Sequence, residues 1–361
     1  MKLAIVSLKG KSSEAIARAA AKYFDAVSSF HLRNITVGVD KETRVMHENK
    51  DLADYDCVYL RGSYNYADLL ISIALALKGK VYLPVTDEAL AVAHNKFLTE
   101  VKLKDEKIPL PKTHLVYKEE TAKIVANSLH YPVVFKMLSG THGKGVMFAE
   151  SAEGANSLID MLSKIKEPYI IQEYVETGAT DIRALVVGRR VIAMERVAKE
   201  GELRAGIHSG GIGRKIELDY DNKQLARKVA KTINADICAV DMLKGATKTV
   251  VTEVNLSPGI IGLTDATKIN VASKIAKSLY RRTEEFKRGK AEDKQKLFDI
   301  SALGNSLSSA REMITNIVIK AGRIILPPAL TEITDFFPDE EVSIKVEKDK
   351  IEVKKLKKEG K

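Results

Sequence analysis

A chain of 361 residues is too long for one average hydrophobic core, so about two to four domains are expected. Hydrophobic residues make up 45% and charged residues 29%, the balance of a soluble globular protein, and no apolar run approaches the length of a membrane span. The net charge of +10 favours anionic partners such as nucleotides, acidic peptides or nucleic acid, but a Lys- and Glu-rich surface without Trp also fits a thermophile, so charge alone selects no partner.

The opening Met1-Lys2-Leu3-Ala4-Ile5-Val6 reads as a short strand without a signal-peptide cleavage pattern, which points to a cytoplasmic protein. Over the first ninety or so residues, short strands alternate with helical patterns: Leu3–Val6, a helix through Glu14–Phe24, the strand Cys57–Leu60 and a helix across Tyr66–Leu77. That alternation predicts a small parallel α/β unit. Arg61-Gly62-Ser63 follows a strand's carboxyl end, where open α/β sheets bind ligands, although a plain turn is the simpler reading. Cys57 and Cys238 lie in apolar strand-like runs, as buried free thiols do, and neither suits a nucleophile or a metal ligand.

From Asn95 the texture changes to strands and glycine loops. Candidate strands are Val133–Met137, Tyr169–Val175, Ile182–Val187, Val191–Arg196, Ile237–Leu243 and Thr249–Leu256, with helical patterns at Ala152–Ile165 and Asn222–Ile233. This is an α+β arrangement large enough for two lobes. After the first of these strands comes Ser139-Gly140-Thr141-His142-Gly143-Lys144-Gly145, whose Gly140, Gly143 and Gly145 allow backbone N–H groups to wrap phosphate oxygens while Lys136 neutralises them. The loop does not match the Walker pattern, and taken alone it is a flexible turn as readily as a phosphate lid.

Ile170-Ile171-Gln172-Glu173-Tyr174-Val175 is an apolar strand that ends in an acid and an aromatic, able to meet an adenine edge or to serve as an ordinary edge strand. Asp181 and Arg183 share a strand face, and Arg204 follows the next pair of strands. Arginine forks suit a phosphoryl group or a developing oxyanion, although each arginine singly also fits a surface salt bridge. Glu253 and Asn255, two apart on one strand, point to the same side, and a hairpin can bring Asp241 opposite them. Two carboxylates and an amide suit Mg²⁺, an oxygen-seeking ion that shares its shell with nucleotide phosphates, while a hairpin with solvated acids is the plainer alternative.

Past an amphipathic helix pattern at Lys268–Tyr280, the segment Arg281–Lys296 is almost all charge and reads as a solvated helix end or linker. Strand chemistry returns over Ile314–Lys354, where Val342, Ile344 and Val346 alternate with polar residues and Lys348-Asp349-Lys350 turns the chain into Ile351 and Val353. A unit of about forty residues is small for an independent core, which suggests dimerisation.

In order along the chain, Asn95-Lys96-Phe97, Val134-Phe135-Lys136, Gly140 to Val146, Gln172-Glu173-Tyr174-Val175, Asp181-Ile182-Arg183, Glu195 to Gly201, Val240-Asp241-Met242-Leu243 and Glu253 to Gly259 resemble the ATP-grasp superfamily. Within it the resemblance is to carboxylate–amine ligases of the RimK type, which add glutamate to a protein C-terminus. The resemblance implies an ATP-grasp domain at 94–285 after an N-terminal α/β domain at 1–93. Lys96 and Lys136 would hold ATP phosphates under the glycine loop, Glu173, Tyr174 and Val175 would bind adenine with Asp181 near the nucleotide, and Arg183 and Arg204 would stabilise the transferred phosphoryl group. Asp241, Glu253 and Asn255 would carry Mg²⁺, or Mn²⁺ in its place. Gly206 stands where relatives often carry Asn, and Ile261 where they often carry a charged residue, so the acceptor is not implied.

Beyond a charged linker at 286–312, residues 313–356 resemble the AbrB-type swapped-hairpin domain, through Val318 to Pro327 and Asp339 to Ile344. That resemblance implies a homo-oligomer. Lys320 and Arg323 are thin support for DNA binding. The expected function is an ATP-dependent ligase joining an amino acid, glutamate foremost, to a carboxylate of a peptide, protein or small molecule. The alternative is a nucleotide-sensing DNA-binding regulator.

Overall fold

The computed structural model describes residues 1–138, 145–198, 211–303, 318–320, 323–325, 342–348 and 350–355. It divides into two compact units, Met1–Glu285 and Phe286–Lys361.

The first unit begins with β1 (Lys2–Ser7), α1 (Lys11–Ala20) and β2 (Ala26–His31), followed by a small antiparallel meander of β3 (Thr36–Val39), β4 (Thr43–His47) and β5 (Lys50–Asp51). β6 (Cys57–Leu60) then pairs with β1 on the side away from β2, giving a parallel three-stranded sheet. Leu3 to Val6 and Cys57 to Leu60 are buried throughout, as strands covered on both faces require. α2 (Ala67–Leu77) and α3 (Asp87–Ala93) complete this region, Thr86 capping α3 by accepting from the Ala89 N–H at 3.1 Å.

α4 (Lys96–Asp105) starts at a cap made by Asn95, whose side chain accepts from the Phe97 and Leu98 N–H groups. The Asn-Lys-Phe motif is thus a helix start, and it fixes Lys96 at the first helical position. β7 (Thr113–Val116), α5 (Glu119–Ser128), β8 (Val133–Met137), β9 (Val146–Ala149), α6 (Ala152–Ser163) and β10 (Tyr169–Glu173) form an antiparallel sheet in the order β7-β10-β8-β9. Ala122 and Ala126 of α5 and Ala155, Ile159 and Leu162 of α6 share a core with Phe135, Tyr169 and Ile171 of this sheet.

A second antiparallel sheet has the order β13-β12-β11-β14-β15, built from β11 (Thr180–Val187), β12 (Arg190–Val197), β13 (Ile212–Ile216), β14 (Ile237–Lys244) and β15 (Thr249–Asn255), with α7 (Tyr220–Ile233) between β13 and β14. α7 ends on Asn234 in the left-handed conformation, the αL cap that Asn tolerates better than most residues. α8 (Ile261–Thr267) and α9 (Val271–Leu303) follow.

Several boundaries differ from the sequence reading. α1 ends at Ala20 rather than running to Phe24, and β10 stops at Glu173. Residues 286–303, expected within a linker, are helical as part of α9. In the second unit β16 (Val318–Lys320) pairs with β17 (Arg323–Ile325), and β18 (Val342–Val346) pairs with β19 (Ile351–Lys355), each pair antiparallel.

Candidate active site

The polar face of the five-stranded sheet carries the site. Residues directly opposite in an antiparallel pair point the same way, and the register sets Arg196 against Asp181, Arg183 against Asp241, and Asp241 against Glu253. Four strands thus deliver two arginines, three carboxylates and, two residues along β15, the amide of Asn255 to one surface. The alternate positions, such as Ala184, Val186, Cys238 and Val240, are buried and apolar. A register shift lies between Asp241 and Met242, with Thr252 as the extra residue before Glu253, where a β-bulge re-aims side chains.

Arg183 grips Asp241 through two parallel bonds, Nε to Oδ1 at 2.8 Å and Nη2 to Oδ2 at 2.6 Å. Arg196 makes the same fork with Asp181, Nη2 to Oδ2 at 2.7 Å, and its Nη2 also lies 3.0 Å from Asp241 Oδ2. The fork geometry is specific to guanidinium and carboxylate. Burial alone would raise the Asp241 carboxyl, but Arg183 and Arg196 outweigh it and hold its pKa at about 2. Burial wins at Asp181, whose carboxyl is pushed up despite Arg196.

A second network joins the other sheet to α4. Lys136 Nζ donates to Gln172 Oε1 at 2.6 Å, and the Gln172 amide donates to Glu100 Oε1 at 3.1 Å and to Thr113 Oγ1 at 2.6 Å. Glu100 and Gln172 are both buried. Burial raises the Glu100 carboxyl and lowers the Lys136 ammonium, Glu100 and Glu253 opposing the latter shift. Lys96 Nζ reaches Leu138 O at 3.4 Å, at the end of β8. A cleft of about 720 Å³, open to solvent, is lined by Lys96, Glu100, Glu253, Asn255 and Ser257 together with Gly62, Ser63 and Tyr64 from the loop after β6.

Glu173, Tyr174 and Val175 lie where the chain leaves β10 for the other sheet. Glu173 accepts from the Lys112 N–H at 2.8 Å, Tyr174 sets its ring edge-on to Phe148, and Val175 packs at Gly245, where a Cβ would approach it to 3.2 Å. Gly145 has φ of +81°, which an L side chain rarely adopts, and its carbonyl accepts from Met137 N–H at 3.1 Å, closing the β8–β9 hairpin. Gly140, Gly143 and Arg204 lie outside the described residues.

The structure therefore brings Lys96, Glu253 and Asn255 to one cleft and gathers Asp181, Arg183 and Asp241 beside it, with Asp241 opposite Glu253 in the β14–β15 register on the face that Glu253 and Asn255 share. Asp241 spends both oxygens on arginines, and among the described residues no group of three His, Cys, Asp or Glu is arranged to hold a metal. Glu253 and Asn255 offer a carboxylate and an amide oxygen to the cleft, which fits a hard cation that takes most of its shell from water and phosphate. Sequence reasoning missed Arg196, Glu100 and Gln172 as members of the site. Arg196 meets Asp181 only through the β11–β12 register, and nothing local in the sequence marked it or Glu100.

These two sheets with a polar cleft between a helix start and a strand pair define a mixed α/β ATP-grasp fold. Residues 93–279 match the RimK-like ATP-grasp domain, and the chain belongs to that family. It is 34% identical over 242 residues to a probable alpha-L-glutamate ligase of Marinomonas sp. (strain MWYL1), covering 65% of this chain and 79% of that protein. A protein of the same name from Thioalkalivibrio sulfidiphilus (strain HL-EbGR7) is 32% identical over 235 residues, covering 64% and 78%. Among solved structures, the ATP-grasp ligase PsnB complexed with a minimal precursor superposes with a TM-score of 0.63 at 18% identity, over 78% of this chain and 98% of that one. A RimK domain ATP-grasp protein from Sphaerobacter thermophilus DSM 20745 gives 0.61 at 16% identity, over 77% and 99%. Among the described residues no helix is long and apolar enough to cross a membrane.

Proposed function

We infer that the chain is an ATP-dependent ligase that joins an amino acid, glutamate foremost, to a carboxylate of a peptide, protein or small molecule through an acyl phosphate. The observation that carries this reading is the single sheet face on which Arg183, Asp241, Glu253 and Asn255 stand beside a cleft that also holds Lys96. In the first step an acceptor carboxylate oxygen attacks the γ-phosphorus of ATP and ADP leaves. In the second the glutamate amine attacks the acyl carbon, inorganic phosphate departs, and the amine proton passes to solvent. No side-chain nucleophile is required, which agrees with Cys57 and Cys238 being buried with their thiols pushed up to about 12 by burial.

In this reading Lys96 and Lys136 hold the ATP phosphates, with Gly140, Gly143 and Gly145 in the covering loop. Glu173, Tyr174 and Val175 meet the adenine, Asp181 lies near the nucleotide, and Arg183 and Arg204 stabilise the transferring phosphoryl group. Mg²⁺, with Mn²⁺ as a substitute, would be held by Glu253 and Asn255, and by Asp241 when Arg183 turns to phosphate. When bound, the ion neutralises charge on the phosphates. PsnB, similar to this chain in fold, has been solved with a minimal precursor, Mg and ADP, which supports a nucleotide–metal pair and a peptide-like acceptor here.

The domain plan that goes with this reading is an α/β domain at 1–93, the ATP-grasp domain at 94–285 and an AbrB-like hairpin domain at 313–356 that makes the chain a cytoplasmic homo-oligomer. Support for the last part is the hairpin of β18 and β19, whose Ile344, Val346, Ile351 and Val353 share one face by register and are all exposed. The DNA-binding regulator draws no support from the ligase relatives. The deciding experiment is ADP release with ATP, Mg²⁺ and glutamate as carboxylate acceptors are varied, with mass spectrometry of the product. Release that needs both acceptor and glutamate, with a product heavier by one glutamyl residue, is expected, while release indifferent to every acceptor and amine would sink the ligase reading.

A further inference from the structure

Arg61 is buried, 5% exposed, at the carboxyl end of β6, and no carboxylate pairs with it among the described residues. Its guanidinium instead reaches three neutral acceptors. Nε donates to Ser13 Oγ at 3.0 Å, Nη1 to Tyr59 Oη at 2.8 Å and Nη2 to the Pro258 carbonyl at 2.8 Å. Burying this cation costs free energy that a turn has no need to spend, so the hydrogen bonds it makes must matter to the fold or to the site.

Two of those acceptors belong to the N-terminal sheet region and the third to the loop that follows β15. Adjacent bonds repeat the connection: Gly62 N–H donates to Ser257 Oγ at 2.9 Å, and Ile260 N–H donates to Ser12 Oγ at 3.0 Å. At Gly62 a Cβ would come within 2.9 Å of Leu70 Cδ1 and 3.1 Å of Leu32 Cδ2, so a side chain there would push on the tips of two buried leucines. The same loop then reaches back to the site, since the Ser257 N–H donates to Asn255 Oδ1 at 2.9 Å. A continuous chain of bonds runs from Arg61 through Pro258 and Ser257 to the Asn255 amide.

We propose that Arg61 is a positioning residue for the ligase, latching the loop after β15 so that Asn255 presents its amide oxygen to the cleft. This rests on the reading of Asn255 as a metal ligand. Partners that orient a ligand without touching the metal are worth about 10- to 100-fold in metal affinity, which sets the size of the effect.

The test measures ADP binding by titration calorimetry, once in Mg²⁺ and once in EDTA, on the full chain and on Arg61→Met, Arg61→Lys and Ser12→Ala, each checked for a native unfolding transition. The unaltered protein is expected to bind ADP more tightly with Mg²⁺. Arg61→Met is expected to lose about tenfold of that Mg²⁺-dependent gain, while affinity in EDTA stays within about twofold. Arg61→Lys, which retains the charge but donates from a single nitrogen, is expected to recover part of the loss. Equal losses in both buffers, or a gain unchanged in folded Arg61→Met, overturns the proposal. Should Arg61→Met fail to fold, Ser12→Ala decides, with about a threefold loss expected and no loss overturning it. An unaltered protein indifferent to Mg²⁺ overturns the metal reading itself, a result distinct from an unaffected variant.

Discussion

Asp241 shows how burial and pairing decide a side chain's state. A carboxylate this enclosed would resist ionisation, yet two guanidinium groups hold it charged down to about pH 2, so it stays anionic over any working pH. Truncating one partner of such a buried pair strands the other, at a cost of about 3–5 kcal/mol, so the arginines and acids of this face are poor places to separate catalysis from stability. Glu253 is the better probe, because it is exposed to the cleft and in no ion pair among the described residues. Glu253→Gln removes one charge at nearly constant shape, and turnover is expected to fall at least about tenfold with a smaller change in nucleotide affinity; near-normal turnover removes Glu253 from the proposed metal shell. Glu100 affords a test by pH. Burial pushes the Lys136 ammonium down, and the charge of Glu100 counters that shift. In Glu100→Gln the support is gone, so Lys136 loses its proton at a lower pH, and the alkaline loss of ATP affinity should move to lower pH in calorimetric titrations. An unmoved profile means that the Glu100 charge does not reach Lys136.

At the scale of elements, the β8–β9 hairpin is closed by a backbone that favours glycine. Gly145 has φ of +81°, and an added Cβ would meet Met137 Cγ at 3.2 Å. Gly145→Ala is expected to destabilise the protein by about 1 kcal/mol in urea unfolding and to lower ATP-dependent turnover, because the residues proposed to cover the phosphates immediately precede it in sequence. Turnover unchanged at equal stability removes Gly145 from the nucleotide site. The elements legible in the sequence were those with unbroken apolar runs, such as Leu3–Val6 of β1 and β6, where burial dictates composition. β2 was not legible, because in Ala26–His31 only Phe30 is buried and parallel pairing with β1 supplies what side chains do not. The charge-dense stretch after Tyr280 read as a helix end or linker, and it is helical, with Arg281 and Arg282 pairing with Glu285 at helical spacing. Within the site, Asp241, Glu253 and Asn255 were legible because an i, i+2 pair on one strand declares its face, and the hairpin does set Asp241 opposite Glu253. Arg196 was not, since its role depends on cross-strand register that no local pattern encodes.

For the whole molecule, every residue assigned to nucleotide or metal precedes α8, while the strands of the second unit form only two-stranded hairpins among the described residues. A two-stranded hairpin is at best marginally stable in water, and β18 with β19 leaves Ile344 60% and Val346 69% exposed. Such a face is stabilised when a second copy covers it, at about 25 cal/mol for each Å² of apolar surface removed from water. Deleting the chain from about residue 314 onward is therefore expected to lower the subunit number in light scattering while leaving ATP affinity within about twofold, because the proposed nucleotide contacts are all retained. An unchanged subunit number defeats the swapped-hairpin reading, and a large loss of ATP affinity defeats the assignment of the nucleotide site to the first unit alone. Tight, sequence-selective DNA binding by the full chain at physiological salt would return the regulator to consideration, whereas weak binding that fades as salt rises is what a net charge of +10 already predicts.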